Sequence, residues 1–186
     1  FVYIFSNQEV TTPEDVKKVK MWAWSSDPIA RVLIKSMGGN PIPLAVPDVL
    51  PNLQTGLINA FYSSPLATIA LRWFTQVKFM TAHKLAYGIG AMVMTDAAFA
   101  KISPSEQEIV KAACLKWSDV LVKKVRKDNK KSLKVLASQG LSLVKPTAEQ
   151  NKIWKGMIPK LHNDLTKNHF PKDLVDEIKK HIKAIR

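Results

Sequence analysis

Residues 38–69, GGNPIPLAVPDVLPNLQTGLINAFYSSPLATI, carry more fold information than any other part of the 186-residue chain. Gly38-Gly39 ends a preceding helix, as glycine past a last helical turn does. Asn40 to Val46 is a short extended run, and Pro41 and Pro43 confine it to an edge or irregular strand. Pro47 starts a helix that stops at Gly56, and Leu57 to Tyr62 is the next strand. Pro65 then opens a helix reaching Phe74.

Upstream, VKMWAWSSDP (Val19 to Pro28) supplies a strand followed at once by a helix signal. Ser26 or Asp27 is the cap and Pro28 the first helical residue. The helix Pro28 to Met37 places Ile29, Val32, Leu33 and Met37 on one stripe. Residues 1–62 therefore read strand–helix–strand–helix–strand, a parallel-sheet pattern. Alternation puts Trp22 and Trp24 on one face at the carboxyl end of their strand, where open α/β sheets bind ligands.

FVYIF at the start is a β-type run, and Thr12 with Pro13 and Asp15 forms a capped short helix. Val77 to Met80 and Tyr87 to Thr95 (YGIGAMVMT) are further expected strands, the second apolar throughout. Ser103-Pro104-Ser105-Glu106 begins a helix that meets no breaker before Gly140. Its polar middle suits a helix bridging two subdomains. A short strand, Leu141 to Val144, and two lysine-rich helices starting near Thr147 and Pro171 complete the chain.

The formal net charge is +13, with +2 on residues 1–100 and +11 on residues 101–186. Such a skew fits a nucleic-acid or anionic surface binder, or a lysine-rich solvated face. The lysines alternate with apolar residues at helical spacing and are not interleaved with aromatics and glycines, which favours the solvated face. No phosphate loop, nucleophile elbow or His-Glu-x-x-His motif is present. His83, His162, His169 and His181 lack metal-ligand spacing, and the single Cys114 allows no internal disulfide. No catalytic residue, metal or cofactor is expected, and the chain is read as a non-enzyme.

Three stretches carry a resemblance: TTPEDVKKVKMW (11–22), the 38–69 segment, and ISPSEQEIVKAACLKW (102–117). Asn40-Pro41-Ile42-Pro43, Leu53-Gln54-Thr55-Gly56, Ser64-Pro65-Leu66 and Ile102-Ser103-Pro104-Ser105-Glu106-Gln107 occur in the order seen in substrate-binding proteins of tripartite ATP-independent periplasmic (TRAP) transporters. This DctP-like family is what the chain resembles. The resemblance implies an α/β, type II periplasmic-binding-protein-like fold: two lobes, crossing strands and a long lobe-spanning helix. It implies that the N-terminal part of the first lobe is absent, the chain being a C-terminal portion or a naturally short member. Residues 1–85 would be the second lobe, on the ligand-cleft side. Residues 86–186 would supply the return strand, the spanning helix and C-terminal helices.

The resemblance further implies a periplasmic monomer that catalyses nothing, binds no nucleic acid, captures a small organic ligand and delivers it to the membrane subunits of a transporter. In that family an arginine clamps the ligand carboxylate where Trp22 stands here. Ser64 replaces the usual asparagine, and Val46 a larger aromatic. Arg31 falls on the following helix, facing solvent, and Arg72 is a weak candidate cation. Trp22, Trp24, Val46, Phe61, Tyr62, Ser63 and Ser64 are the expected ligand contacts. Loss of the clamp points to a relatively apolar or aromatic organic acid.

Overall fold

The computed structural model describes residues 1–184. Six strands form the centre: β1 (Tyr3–Ser6), β2 (Trp22–Trp24), β3 (Ile42–Leu44), β4 (Ala60–Ser63), β5 (Phe79–Thr81) and β6 (Ser142–Val144). They make a four-stranded sheet ordered β4-β1-β5-β6 and a two-stranded sheet β2-β3. A parallel bridge between Met21 and Ala60 joins the two, so β2 continues the sheet beside β4. β3 lies at the outer edge, where its Pro43 N costs no ladder bond.

The helices are α1 (Pro28–Ser36), α2 (Val49–Gln54), α3 (Pro65–Ala70), α4 (Asp96–Phe99), α5 (Pro104–Ser138), α6 (Ala148–Gly156), α7 (Ile158–Asn168) and α8 (Lys172–Ala184). Short 3₁₀ turns cover Pro13–Lys18, Val46–Asp48 and Trp73–Gln76. Asp27 caps α1 by accepting the Ala30 N–H at 2.9 Å. The helix ends in a Schellman arrangement: Gly38 N–H donates to Lys35 O, and Gly39 N–H to Ile34 O. Gly38 holds φ +81°, the left-handed conformation this cap requires.

Period-two alternation sorts the strand residues onto two cores. Tyr3, Phe5, Trp22 and Phe61 enter one, covered by Val49 and Leu53 of α2, Trp73, and Leu136 of α5. Ile4, Met21, Ala23 and Ala60 enter the other, covered by Val16, Ile34 and Met37 of the first half and Trp154 of α6. Both sheet faces are thus buried, the three-layer α/β/α arrangement that parallel strands demand.

Three expectations need correction. β1 is antiparallel to both β4 and β5, so the parallel pattern holds for β2, β3 and β4 but not for the first strand. Apolar alternation marks a strand and its buried face but says nothing of its direction. Residues 87–95 form no strand. Their one nearby sheet contact is the Val2–Ala86 bridge, and Ile89 and Val93 are 89% and 90% exposed. Apolar content without a neighbouring edge, among the described residues, gives extended chain and no ladder. The lysine-rich region from 147 divides at Met157, so three helices follow β6, not two. Pro159 stands in the first turn of α7, where a helix accepts proline.

The long helix is as expected: α5 runs for 35 residues from the reciprocal Ser103–Glu106 capping box. At 1.5 Å per residue it is about 52 Å long. Its C-terminal half buries Ser132 and Leu136 and packs against α3, where Asn129 Oδ1 accepts the Leu66 N–H at 3.1 Å. Its N-terminal half leaves Ile109, Leu115 and Trp117 more than half exposed.

Candidate ligand-binding site

The carboxyl ends of β2 and β4 meet the N-termini of α1 and α3 on one side of the sheet. Tyr62 ties this corner together. Its hydroxyl accepts the Trp24 backbone N–H at 3.2 Å and donates to Asp27 Oδ2 at 3.1 Å. Asp27 spends its other oxygen on the α1 cap. One carboxylate thus links a helix start, a phenol and, through that phenol, the end of β2. Burial pushes the Tyr62 phenol well above its ordinary pKa; the Trp24 N–H bond opposes this, and the Asp27 carboxylate reinforces it. Tyr62 therefore stays a neutral hydroxyl.

Trp22 is 4% exposed. Its ring stacks on Tyr62 at 5.1 Å and meets Trp73 edge-on at 5.2 Å. Its Nε1–H donates to Leu44 O at 3.1 Å. The indole is the floor of the corner, with its donor already engaged. Phe61 is fully buried, stacked on Phe5 at 5.1 Å, beneath that floor.

Trp24 points the same way as Trp22 but lies beyond the last covering residue, and it is 45% exposed. Val46, Tyr62, Ser63 and Ser64 are partly exposed. Ser64 Oγ accepts the Ala67 N–H at 3.2 Å and so serves as the α3 cap. The accessible wall is therefore Trp24, Tyr62, Ser63, Ser64 and Val46, over a floor of Trp22; Phe61, expected as a contact, is fully buried beneath that floor because its side of β4 faces the core.

Arg31 differs from expectation. It is half-buried, and its guanidinium donates to Ser25 O in the turn between β2 and α1, which brings a cation to the rim of the corner. Helical side chains tilt toward the N-terminus, so Arg31 in the first turn of α1 reaches back over the β2–α1 turn to Ser25. Asp27 was legible only as a cap, since its second oxygen finds Tyr62 through a contact 35 residues away. Arg72 is exposed, with a left-handed backbone at φ +58°, and it starts the 3₁₀ turn that delivers Trp73.

Among the described residues no group of three or more His, Cys, Asp or Glu could hold a metal ion, and no helix is long and apolar enough to cross a membrane. A cavity of about 170 Å³ lies elsewhere, between α5 and the β5–β6 edge, lined by Tyr3, Met80, Leu133, Leu136, Leu141 and Leu143. It contains no charged group. The β2–β4 corner, by contrast, gathers the Ser63, Ser64 and Tyr62 hydroxyls and the Arg31 cation, which makes it the candidate site.

The family model described as "Bacterial extracellular solute-binding protein, family 7" matches residues 1–168. The 2,3-diketo-L-gulonate-binding periplasmic protein YiaO of Escherichia coli (strain K12) is 26% identical over 140 residues, covering 75% of this chain and 42% of that protein. The periplasmic ectoine-binding protein of the TeaABC TRAP transporter of Halomonas elongata superposes with a TM-score of 0.88 at 20% identity, over 98% of this chain and 60% of that one. A TRAP periplasmic solute-binding protein from Sulfitobacter sp. NAS-14.1, with bound β-D-galacturonate, gives 0.78 at 22% identity, over 94% and 58%. The chain thus spans under half the length of the curated relative and about three fifths of these solved structures. The family match over nine-tenths of the sequence and the shared fold agree, and the chain belongs to bacterial extracellular solute-binding protein family 7.

Proposed function

We propose that this chain forms the second-lobe side of a periplasmic solute-binding protein that captures a small organic acid and delivers it to the membrane subunits of a TRAP-type transporter. The protein catalyses nothing. Residues 1–85 supply the ligand wall, and residues 86–186 the spanning helix and the C-terminal helices that pack on the lobe, α7 against α1 and Trp154 of α6 in its core. Binding proceeds by closure of a second wall over the corner, with the ligand preferring the closed state.

One observation carries the ligand class: Trp22 fills the floor with its N–H committed to Leu44 O. An arginine there would offer a bidentate clamp, whereas an indole offers apolar area. The ligand body then rests on Trp24 and Tyr62, with Ser63 and Ser64 for hydrogen bonds. Arg31 at the rim meets a single carboxylate, so an acid with an apolar or aromatic body fits better than a short dicarboxylate. Titration of aromatic monocarboxylates and of succinate, followed by tryptophan fluorescence with Trp24→Phe as control, tests this reading. Saturable quenching by the aromatic acids that is absent in the variant supports it, and tight binding of succinate alone overturns it.

A further inference from the structure

We propose that α6 (Ala148–Gly156) is a pH-sensitive strap that undocks from the lobe when His83 takes up a second proton. Trp154 is the one buried side chain of α6. It enters the core that holds Val16, Met21 and Ile34, with Met157 half-buried beside that core. Trp154 Nε1–H donates to Thr11 O at 2.8 Å, and Gln150 Nε2–H donates to Thr11 Oγ1 at 3.0 Å. A third hydrogen bond, from His83, completes the attachment. A unit held by one buried ring and a few hydrogen bonds can open while the sheet stays closed.

His83 lies on the segment leading from β5 to the Val2–Ala86 bridge. Its half-buried ring stacks on Trp154, centroids 4.6 Å and planes 15° apart. Asn151 fixes which nitrogen carries the proton. The Asn151 Nδ2–H₂ donates to Pro146 O at 3.1 Å and Thr147 O at 2.9 Å, so Oδ1 turns to the ring. His83 Nδ1–H therefore donates to Asn151 Oδ1 across 3.2 Å, and a second proton goes to Nε2.

That proton charges a ring pressed between the lobe and α6. The Trp154 face attracts a cation. Burial opposes the charge, the Asn151 bond favours it and Lys155 repels it, and the balance keeps the docked ring neutral below the ordinary 6.5. The elements meeting here bring other charges. α6 carries Glu149 and Lys152, and Lys145 precedes it. The Thr11 turn leads to Asp15, paired with Lys18 at 2.8 Å. Lys84, next to His83, places its ammonium over the Phe1 ring at 4.3 Å. Of these charges only Lys155 acts on the imidazole. Undocking removes Lys155 and returns the ring to water, so the undocked chain binds the proton first. Docking is then strongest at neutral pH, weakens as pH falls below about 6.5, and levels once the docked ring is charged too.

The test is hydrogen exchange of the full chain at pH 7.5 and 5.5, corrected for the intrinsic pH dependence of exchange, with β1 and β4 amides as the reference for whole-chain opening. Protection of the α6 amides should fall severalfold at the lower pH, bounded at about tenfold for one unit below 6.5, while β1 and β4 keep more of theirs. His83→Phe keeps an aromatic ring on Trp154 but cannot charge, and its α6 protection should be the same at both pH values. Lys155→Glu leaves the packed ring in place and sets an acid near it, which should shrink the parent's response. Unchanged α6 protection in the parent overturns the proposal. So does an equal loss in α6 and β1, which would be opening of the whole chain, or a response that persists in His83→Phe or is undiminished in Lys155→Glu.

Discussion

The indole of Trp22 lies parallel to the phenol of Tyr62, centroids 5.1 Å apart and planes 20° apart. The same phenol's hydroxyl bridges the Trp24 N–H and the Asp27 carboxylate. Core and candidate site therefore share one residue: the ring of Tyr62 belongs to the packing, and its oxygen orders the end of β2 and the start of α1.

Because Trp22 is floor, its loss should register first in stability. Trp22→Ala removes a nearly buried indole and should cost about 3–5 kcal/mol. Trp22→Phe keeps most of the area but leaves the Leu44 carbonyl unpaired, which should cost about 1–3 kcal/mol. Urea denaturation checks both. An unchanged midpoint for Trp22→Ala would mean that the ring is not core.

Tyr62 and Asp27 should be coupled. Tyr62→Phe strands one Asp27 oxygen and the Trp24 N–H, while Asp27→Ala removes the α1 cap, worth about 1 kcal/mol, together with the phenol's acceptor. In a double-mutant cycle the two costs should fall short of additivity by about 0.5–2 kcal/mol. Additive costs would mean that the hydroxyl–carboxylate bond contributes nothing.

Two titrations should shape the acid side of the stability profile. The His83 ring stacks on Trp154 at 4.6 Å, and its Nδ1 meets Asn151 Oδ1 at 3.2 Å. Burial lowers its pKa below the ordinary 6.5; the Asn151 bond works upward and the Lys155 charge downward. The unfolded state therefore binds this proton first, and stability falls as pH drops below about 6.5, levelling once the folded-state ring is also charged. His83→Phe should flatten that limb.

Asp15 acts lower on the scale. Burial alone would raise its pKa. The Lys18 ammonium and the N–H and O–H groups of Thr11 and Thr12 outweigh it and hold the carboxyl well below the ordinary 3.8. Its contribution is present above 3.8 and lost as pH falls below it. Asp15→Asn should remove that second decline, measured by thermal melts across the acid range.

Gly39 should resist substitution for a steric reason. A Cβ there would stand 2.7 Å from Val16 Cγ1 and 3.0 Å from Ile34 Cγ2, both on core side chains. Gly39→Ala should destabilise by about 1–3 kcal/mol. A neutral effect in a melting experiment would show that the core gives way at this point.

What the sequence discloses is mostly local chemistry. The Thr12–Asp15 and Ser103–Glu106 boxes, the Asp27–Pro28 start and the Gly38 stop are contacts within a few residues, and each occurs where it reads. Pro43 correctly marks an edge strand. The direction of β1 is set instead by neighbours 58 and 75 residues away, Tyr62 opposite Ile4 and Met80 opposite Phe5. Residues 87–95 show the complement: an apolar run forms a strand only where an edge is offered. At the site, alternation places Trp22 and Trp24 on one face. It does not reveal that Leu44 O takes the Trp22 N–H, or that one ring is covered and the other is not, because both depend on β3 lying alongside.

The most direct measurement of the central claim is a titration of the chain with an aromatic monocarboxylate and with succinate, reading tryptophan fluorescence in the parent, Trp24→Phe and Arg31→Gln. The account predicts saturable quenching by the aromatic acid, lost in Trp24→Phe and weakened about tenfold or more in Arg31→Gln, where a charge-assisted contact worth about 1.5–3 kcal/mol is removed. Tight succinate binding that survives both substitutions would contradict it.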